Sequence, residues 1–266
     1  MPEPARADAR ENPVFNLLDV GLFALVTIVC TVIAVRFVQS LPAFRGDIKN
    51  VTGNALVFIP TQAAAYVLTV GFMVFYILLK YRTGFLKAIQ WNMPVPKLAW
   101  PGMAGGAVLA VIAEVASGLL HRWYPKSLPM DDLIRTPASG YMLVAFGILV
   151  APLVEELFFR GFLYPALARP IGVLAATVFM PALARPIGVV AATVLTSAGF
   201  AMIHSGQLAF AWAPLLILFV VGTTLTVVRA VTKSVAVCVL IHVGYNSTLF
   251  TLLFIATRGF HHMERG

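Results

Sequence analysis

"YMLVAFGILVAPLVEELFFRGFL" occupies residues 141–163 and combines a long apolar run with three charged residues, Glu155, Glu156 and Arg160. Its length matches the roughly 20 apolar residues that an α-helix needs to cross a bilayer. Ionised groups in the middle of a bilayer are costly, so they usually face a protein interior or a water-filled cavity. The stretch therefore predicts a membrane helix with a polar site on one face.

The whole chain has the composition of a membrane protein, because 60% of its residues are hydrophobic and only 11% are charged. Soluble domains carry about 25% charged residues. We predict an all-α, polytopic membrane helix bundle of about seven transmembrane helices, with six to eight as the range. The apolar windows are residues 17–38, 55–79, 99–120, 141–163, 189–203, 210–228 and 234–255.

Basic residues between the windows predict the orientation of the chain. The most basic short loop follows the second window, and the positive-inside rule places it, together with the N-terminus, in the cytoplasm. We expect the first window to be a retained signal anchor. The net charge of +8 suits anionic lipid headgroups, and no nucleic-acid recognition motif is present. The expected location is an integral, multi-pass one, in the plasma membrane if the source is bacterial.

A tandem repeat lies within residues 165–194, where "PALARPIGVLAATV" recurs after 16 residues as "PALARPIGVVAATV". Each copy contains two prolines, which interrupt helices because they lack an N–H donor. We therefore expect no unbroken helix through the repeat. One copy is expected to begin the fifth span and the other to form a short segment on the cytoplasmic side.

Glu156 and Arg160 are four residues apart with the acidic residue first, the favourable order for a helical ion pair. Glu155 points about 100° away around the helix and is the less neutralised carboxylate. We expect Glu155 to take part in chemistry. Pro152 leaves the carbonyl group of Ile148 without its α-helical donor, which predicts a kink or a wetted groove just before the pair.

Two later windows contain further polar residues. His204 ends the fifth window, and His242 and Asn246 lie four residues apart in the seventh. Each of them alone is typical of a hydrogen bond between membrane helices. Together with the carboxylates, they are the groups that activate a water molecule and stabilise an oxyanion.

These residues form three motifs, E-E-x-x-x-R, F-x-x-x-H and H-x-x-x-N, which read here "EELFFR", "FAMIH" and "HVGYN". In this order they resemble the CPBP family, which comprises CAAX proteases and bacteriocin-processing enzymes and is also called the Abi family. The resemblance covers residues 141–255. It implies an all-helical intramembrane endopeptidase. We expect it to act on a membrane-associated peptide or protein and to need no metal or other cofactor.

The resemblance also implies a role for each motif residue. Glu155 and His204 would activate water, and His242 and Asn246 would form the oxyanion hole. Glu156 and Arg160 would support them. The domain prediction is an N-terminal tail with three spans in residues 1–140 and a catalytic core in residues 141–266.

Two alternatives use the same residues. A zinc-dependent peptidase is compatible with two histidines and a glutamate, although the H-E-x-x-H spacing is absent. A non-catalytic immunity or scaffolding protein would use the polar cluster only to lock helices together. The intramembrane carboxylate Glu114 lies outside the motifs, and helix packing and an accessory role both remain open for it. The substrate, a prenylated CaaX peptide or a leader peptide among others, and the oligomeric state also remain open.

Overall fold

The computed structural model describes residues 15–42, 54–92, 99–134, 136–178, 182 and 184–261, and every regular element in these ranges is helical. Ten α-helices are described, and we number them in chain order. They are α1 (Leu17–Ser40), α2 (Ala55–Tyr81), α3 (Phe85–Ala88), α4 (Ala99–Leu120), α5 (Pro137–Ala145), α6 (Ala151–Glu156), α7 (Tyr164–Val178), α8 (Ala184–Ile203), α9 (Trp212–Thr232) and α10 (Val235–Ala256). Short 3₁₀ helices cover His121–Trp123 and Pro129–Ile134.

Seven helices of the described chain are long and apolar enough to cross a membrane, which confirms the predicted all-α membrane bundle. The fourth is a composite. It joins α5, α6 and α7 through two π-helical turns, Phe146–Val150 and Leu157–Leu163. The protein is therefore an integral, multi-pass membrane protein.

The two repeat copies lie in separate helices, α7 and α8, so no unbroken helix runs through the repeat, as expected. The prolines of the first copy, however, do not interrupt α7. Pro165 and Pro170 both lie inside α7. Pro165 follows a π turn, where each N–H donates to the carbonyl five residues earlier, and this altered bonding accommodates the missing donor. Helix α7 continues to Val178, so the first copy is not the short separate segment that was expected. The second copy begins α8, as expected, while the first extends the composite helix.

Helix α1 is fixed to α2 and to the composite helix by one polar and one aromatic contact. The buried carboxylate of Asp19 accepts hydrogen bonds from Tyr76, Lys80 and Tyr81 near the end of α2. The ring of Phe23 lies 4.1 Å from that of Phe162, in the second π turn. The N-terminal spans therefore brace the helix that carries the two glutamates.

Helices α4 and α10 pack backbone against backbone at glycines. A Cβ atom on Gly106 would lie 2.0 Å from the carbonyl oxygen of Ile241, and one on Gly244 would lie 2.2 Å from that of Met103. Small residues permit such close approach between membrane helices. The contact fixes the segment of α10 that contains His242.

We expect Gly106→Ala to destabilise the protein by about 1–3 kcal/mol or more, because the added methyl group overlaps the backbone of α10. Gly105→Ala is the matched control, since a Cβ atom there meets nothing within 4 Å. The control is expected to be neutral or slightly stabilising, given the higher helix propensity of alanine. Thermal unfolding in detergent measures both. Equal stability of the two variants would contradict the close packing.

Candidate active site

A buried ion pair forms the base of the site. Glu156 is the last residue of α6, and its Oε1 atom lies 2.7 Å from Nη1 of Arg160 in the second π turn. Neither side chain is exposed (0%). Nη2 of Arg160 donates to the carbonyl oxygen of Gly222 in α9 at 2.9 Å. The ion pair expected from the i,i+4 spacing is thus present and is anchored to a neighbouring helix.

The carboxylate of Glu155 faces two imidazole rings from other helices. Its Oε1 atom lies 3.8 Å from Nε2 of His204, just after α8, and its Oε2 atom lies 3.9 Å from Nε2 of His242 in α10. The side chains of Glu155 and His204 are 12% and 20% exposed, in contrast to the sealed ion pair. These distances exceed a direct hydrogen bond. A single water molecule beside Oε1 of Glu155 and Nε2 of His204 is able to hydrogen-bond to both atoms.

Hydrogen bonds at Nδ1 orient both rings. Nδ1 of His204 lies 2.8 Å from the carbonyl oxygen of Phe200, and Nδ1 of His242 lies 2.9 Å from Oε1 of Glu156. A carbonyl and an ionised carboxylate only accept, so each ring donates from Nδ1. In a neutral imidazole, Nε2 then has a lone pair. Both Nε2 atoms lie on the side of the ring that is nearer to the Glu155 carboxylate, at 3.8 and 3.9 Å.

Asn246 lies one helical turn beyond His242. Its Nδ2 atom donates to the carbonyl oxygen of Gly147 in the first π turn at 2.6 Å. A side-chain amide has two N–H groups, so a second donor remains. The predicted glutamates, arginine and histidines thus lie in one cluster. Asn246 lies beside them, and its hydrogen bond to Gly147 holds the π turn before α6.

The carbonyl that Asn246 contacts is the one that Pro152 leaves without a donor. In the first π turn the N–H of Ala151 donates to Phe146, five residues earlier. If this pattern continued, the N–H of the next residue would donate to the carbonyl of Gly147, but that residue is Pro152, which has no N–H. α-Helical bonding would leave the carbonyl of Ile148 unpaired, as expected from the sequence, and the π turn shifts the unpaired carbonyl by one residue to Gly147.

All three motifs lie inside the segment that matches a known family. Residues 137–248 match the family model described as Type II CAAX prenyl endopeptidase Rce1-like. This segment is similar to the Rce1-like family. The match confirms the resemblance to the CPBP family and, at the level of the family, indicates an intramembrane protease of the CAAX type. No curated protein and no solved structure matches the chain.

Phe200 has a place in the matched segment that the sequence analysis did not assign. Its buried ring lies 5.0 Å from the ring of His204 and 5.8 Å from that of His242. The guanidinium carbon of Arg160 lies 4.8 Å from the same ring. Phe200 therefore packs against both imidazoles and against the guanidinium group of Arg160. Its position four residues before His204 was the available signal.

Tyr66 of α2 also faces the site, although the first three spans carry no motif. Its ring stacks on Phe146 at 5.8 Å, and its hydroxyl group bonds to Gln62 within electrostatic reach of Glu155. The signal in the sequence was a polar pair, Gln62 and Tyr66, four residues apart inside an apolar span.

Glu114 does not join the cluster. It is exposed on α4, and the groups that interact with its charge are Tyr245 and Tyr124. Tyr124 lies beyond the span, where burial raises its pKa, a hydrogen bond with Ser117 lowers it and the charge of Glu114 raises it. Glu114 is thus a carboxylate outside the site.

The spacing of Glu155, His204 and His242 can be compared with a zinc site. A tetrahedral zinc ion with ligands at about 2.0–2.1 Å separates its ligand atoms by about 3.3 Å. The nitrogen–oxygen distances of 3.8 and 3.9 Å are wider. Among the described residues, no group of three or more His, Cys, Asp or Glu side chains is arranged to hold a metal ion. The ligand spacing is therefore wider than that of a tetrahedral zinc site.

Proposed function

We propose that the chain is an intramembrane endopeptidase that hydrolyses a peptide bond with water activated by Glu155 and His204. The observation that carries this proposal is the gap of 3.8 Å between Oε1 of Glu155 and Nε2 of His204. Both atoms can accept a hydrogen bond from one water molecule that lies to the side of the line joining them. The water oxygen would then present a lone pair to a substrate carbonyl carbon.

The proton balance follows from these positions. As the water oxygen attacks the carbonyl carbon, Glu155 takes one proton and His204 holds the other in a hydrogen bond. The tetrahedral intermediate collapses when the proton on Glu155 passes to the leaving nitrogen. Glu155 is thereby regenerated as a carboxylate. No covalent link to the protein is needed, since the motifs contribute no Ser, Cys or Thr nucleophile.

His242 and Asn246 would stabilise the developing oxyanion. Because Nδ1 of His242 donates to Glu156, donation from Nε2 as well requires an imidazolium ring. Asn246 would offer the N–H that Gly147 does not use. A well-placed donor of this kind contributes about 3–4 kcal/mol.

A zinc peptidase is retained as the second candidate because of one observation. Both imidazoles donate from Nδ1 to an acceptor, as metal-binding histidines do, and so direct Nε2 to a common point near Glu155. The ligand spacing described above weighs against it. Sensitivity to a chelator separates the two mechanisms.

The substrate is proposed to be a membrane-associated peptide. We expect purified protein in lipid nanodiscs to cleave at one bond either a prenylated CaaX peptide or a peptide anchored by its own transmembrane helix, as measured by mass spectrometry. Each peptide is compared with its soluble, unanchored version, which should be cleaved far more slowly. Activity that a chelator removes and zinc restores would favour the second candidate. A folded protein that cleaves neither anchored peptide would support the non-catalytic alternative.

A further inference from the structure

Arg229 is a buried cation that the site described so far does not use. It lies in the last turn of α9, is 4% exposed, and has no carboxylate within ion-pair distance in the described ranges. Its Nε atom donates to the carbonyl oxygen of Arg160 at 2.9 Å, and its Nη2 atom donates to Oε1 of Gln90 at 2.5 Å. Burying a charge is costly unless its hydrogen bonds are made. The hydrogen bonds to these two neutral oxygens therefore stabilise the buried guanidinium group of Arg229.

The carbonyl of Arg160 needs a donor for the same reason as that of Gly147. In the second π turn the N–H of Tyr164 donates to Phe159, five residues earlier. If this pattern continued, the next residue, Pro165, would donate to the carbonyl of Arg160, but proline has no N–H. Arg229 supplies the missing donor. The glutamate pair is thus flanked by two π turns, each followed by a proline and each capped by a side chain from another helix.

Gln90 ties this contact to the neighbouring chain segments. Its backbone is in the left-handed region, with φ 57°, which a residue other than glycine adopts at a cost. Its carbonyl oxygen accepts the N–H of Val235, at the start of α10, at 3.2 Å. One residue thus connects the segment after α3, the end of α9 and the start of the helix that contains His242.

We propose that Arg229, held by Gln90, is a positioning residue for Glu156 and His242. By fixing the carbonyl of Arg160 it fixes the π turn that presents the guanidinium group to Glu156. Oε1 of Glu156 in turn holds Nδ1 of His242. The catalytic consequence rests on the proposed peptidase function, whereas the hydrogen bond that fixes the turn does not.

The first test is Arg229→Met, with Arg169→Met, an exposed arginine of α7, as its control. Hydrogen exchange at residues 157–164 should become about fivefold faster in Arg229→Met, as for one lost hydrogen bond. With an anchored peptide, kcat should fall by up to about 100-fold while KM stays unchanged, because the reacting groups shift without loss of substrate contacts. The control should match wild type. Unchanged exchange at these residues would overturn the proposal.

The decisive variant adds Pro165→Ala, which restores an N–H at the position that addresses Arg160. The double variant Pro165→Ala/Arg229→Met should recover exchange protection, and with it most of the lost kcat. Pro170→Ala/Arg229→Met, a second proline replaced in the same helix, should recover neither. If the Pro165 double variant is no better than Arg229→Met in yield, exchange and turnover, the proposal is wrong. If the wild type cleaves no peptide, the exchange measurement still decides the hydrogen bond, and only the catalytic role falls with the proposed function.

Discussion

Glu155→Gln should lower kcat by about 10²- to 10⁴-fold while leaving the thermal stability of the protein near that of wild type. Glutamine keeps the shape and helix propensity of the residue but cannot take a proton from water. The stability should hold because Glu155 is not paired with Arg160, and its nearest imidazole nitrogens are 3.8 and 3.9 Å away. Single-turnover cleavage of an anchored peptide, together with thermal unfolding in the same detergent, measures both quantities.

The control for this variant is Glu114→Gln, which removes an exposed intramembrane carboxylate outside the cluster. It should retain wild-type turnover. A Glu155→Gln protein that cleaves at the wild-type rate would show that the general base is another group. A Glu155→Gln protein that unfolds much earlier would show instead that the carboxylate has a structural role, as the scaffold alternative requires.

The sequence predicted the helix bundle and the family because both depend on local or strongly patterned signals. Apolar windows of the length of a bilayer appear as seven helices. The i,i+4 relation of Glu156 and Arg160 appears as a buried ion pair. The three motifs lie inside the matched segment, residues 137–248. In each case the residues that carry the signal are close in sequence or separated by a helical period.

The parts that could not be predicted depend on partners that are far apart in sequence. Proline in a helix has two outcomes, a break or a π turn whose unpaired carbonyl finds another donor. Asn246 and Arg229 supply those donors to Gly147 and Arg160 across 99 and 69 residues. Nothing local to either proline indicates them. Tyr66 was missed for the same reason, since only the packing of α2 brings it toward Glu155.

We therefore expect opposite effects when each of the two adjacent glutamates is replaced by glutamine. Glu155 is partly accessible, whereas Glu156 is sealed and its Oε1 atom accepts from both Arg160, at 2.7 Å, and His242, at 2.9 Å. We expect Glu156→Gln to destabilise the protein by about 3–5 kcal/mol, because the guanidinium group of Arg160 is left as an uncompensated buried charge. For a domain of this size the midpoint of thermal unfolding should fall by on the order of 10 °C. Activity should fall with the folded fraction.

The double variant Glu156→Gln/Arg160→Met shows whether the lost stability comes from the unpaired charge. It removes both ions and orphans few groups, because Gly222 keeps the hydrogen bond from Thr226 at 2.7 Å and glutamine can still accept from His242. Replacing a whole buried pair is often nearly neutral. Stability should therefore return most of the way toward wild type, with a favourable coupling between the two sites. Turnover should stay low, because a neutral amide holds Nδ1 of His242 less firmly than a carboxylate does. A Glu156→Gln protein of normal stability but without turnover would contradict this assignment. It would indicate that Glu156, and not Glu155, is the general base.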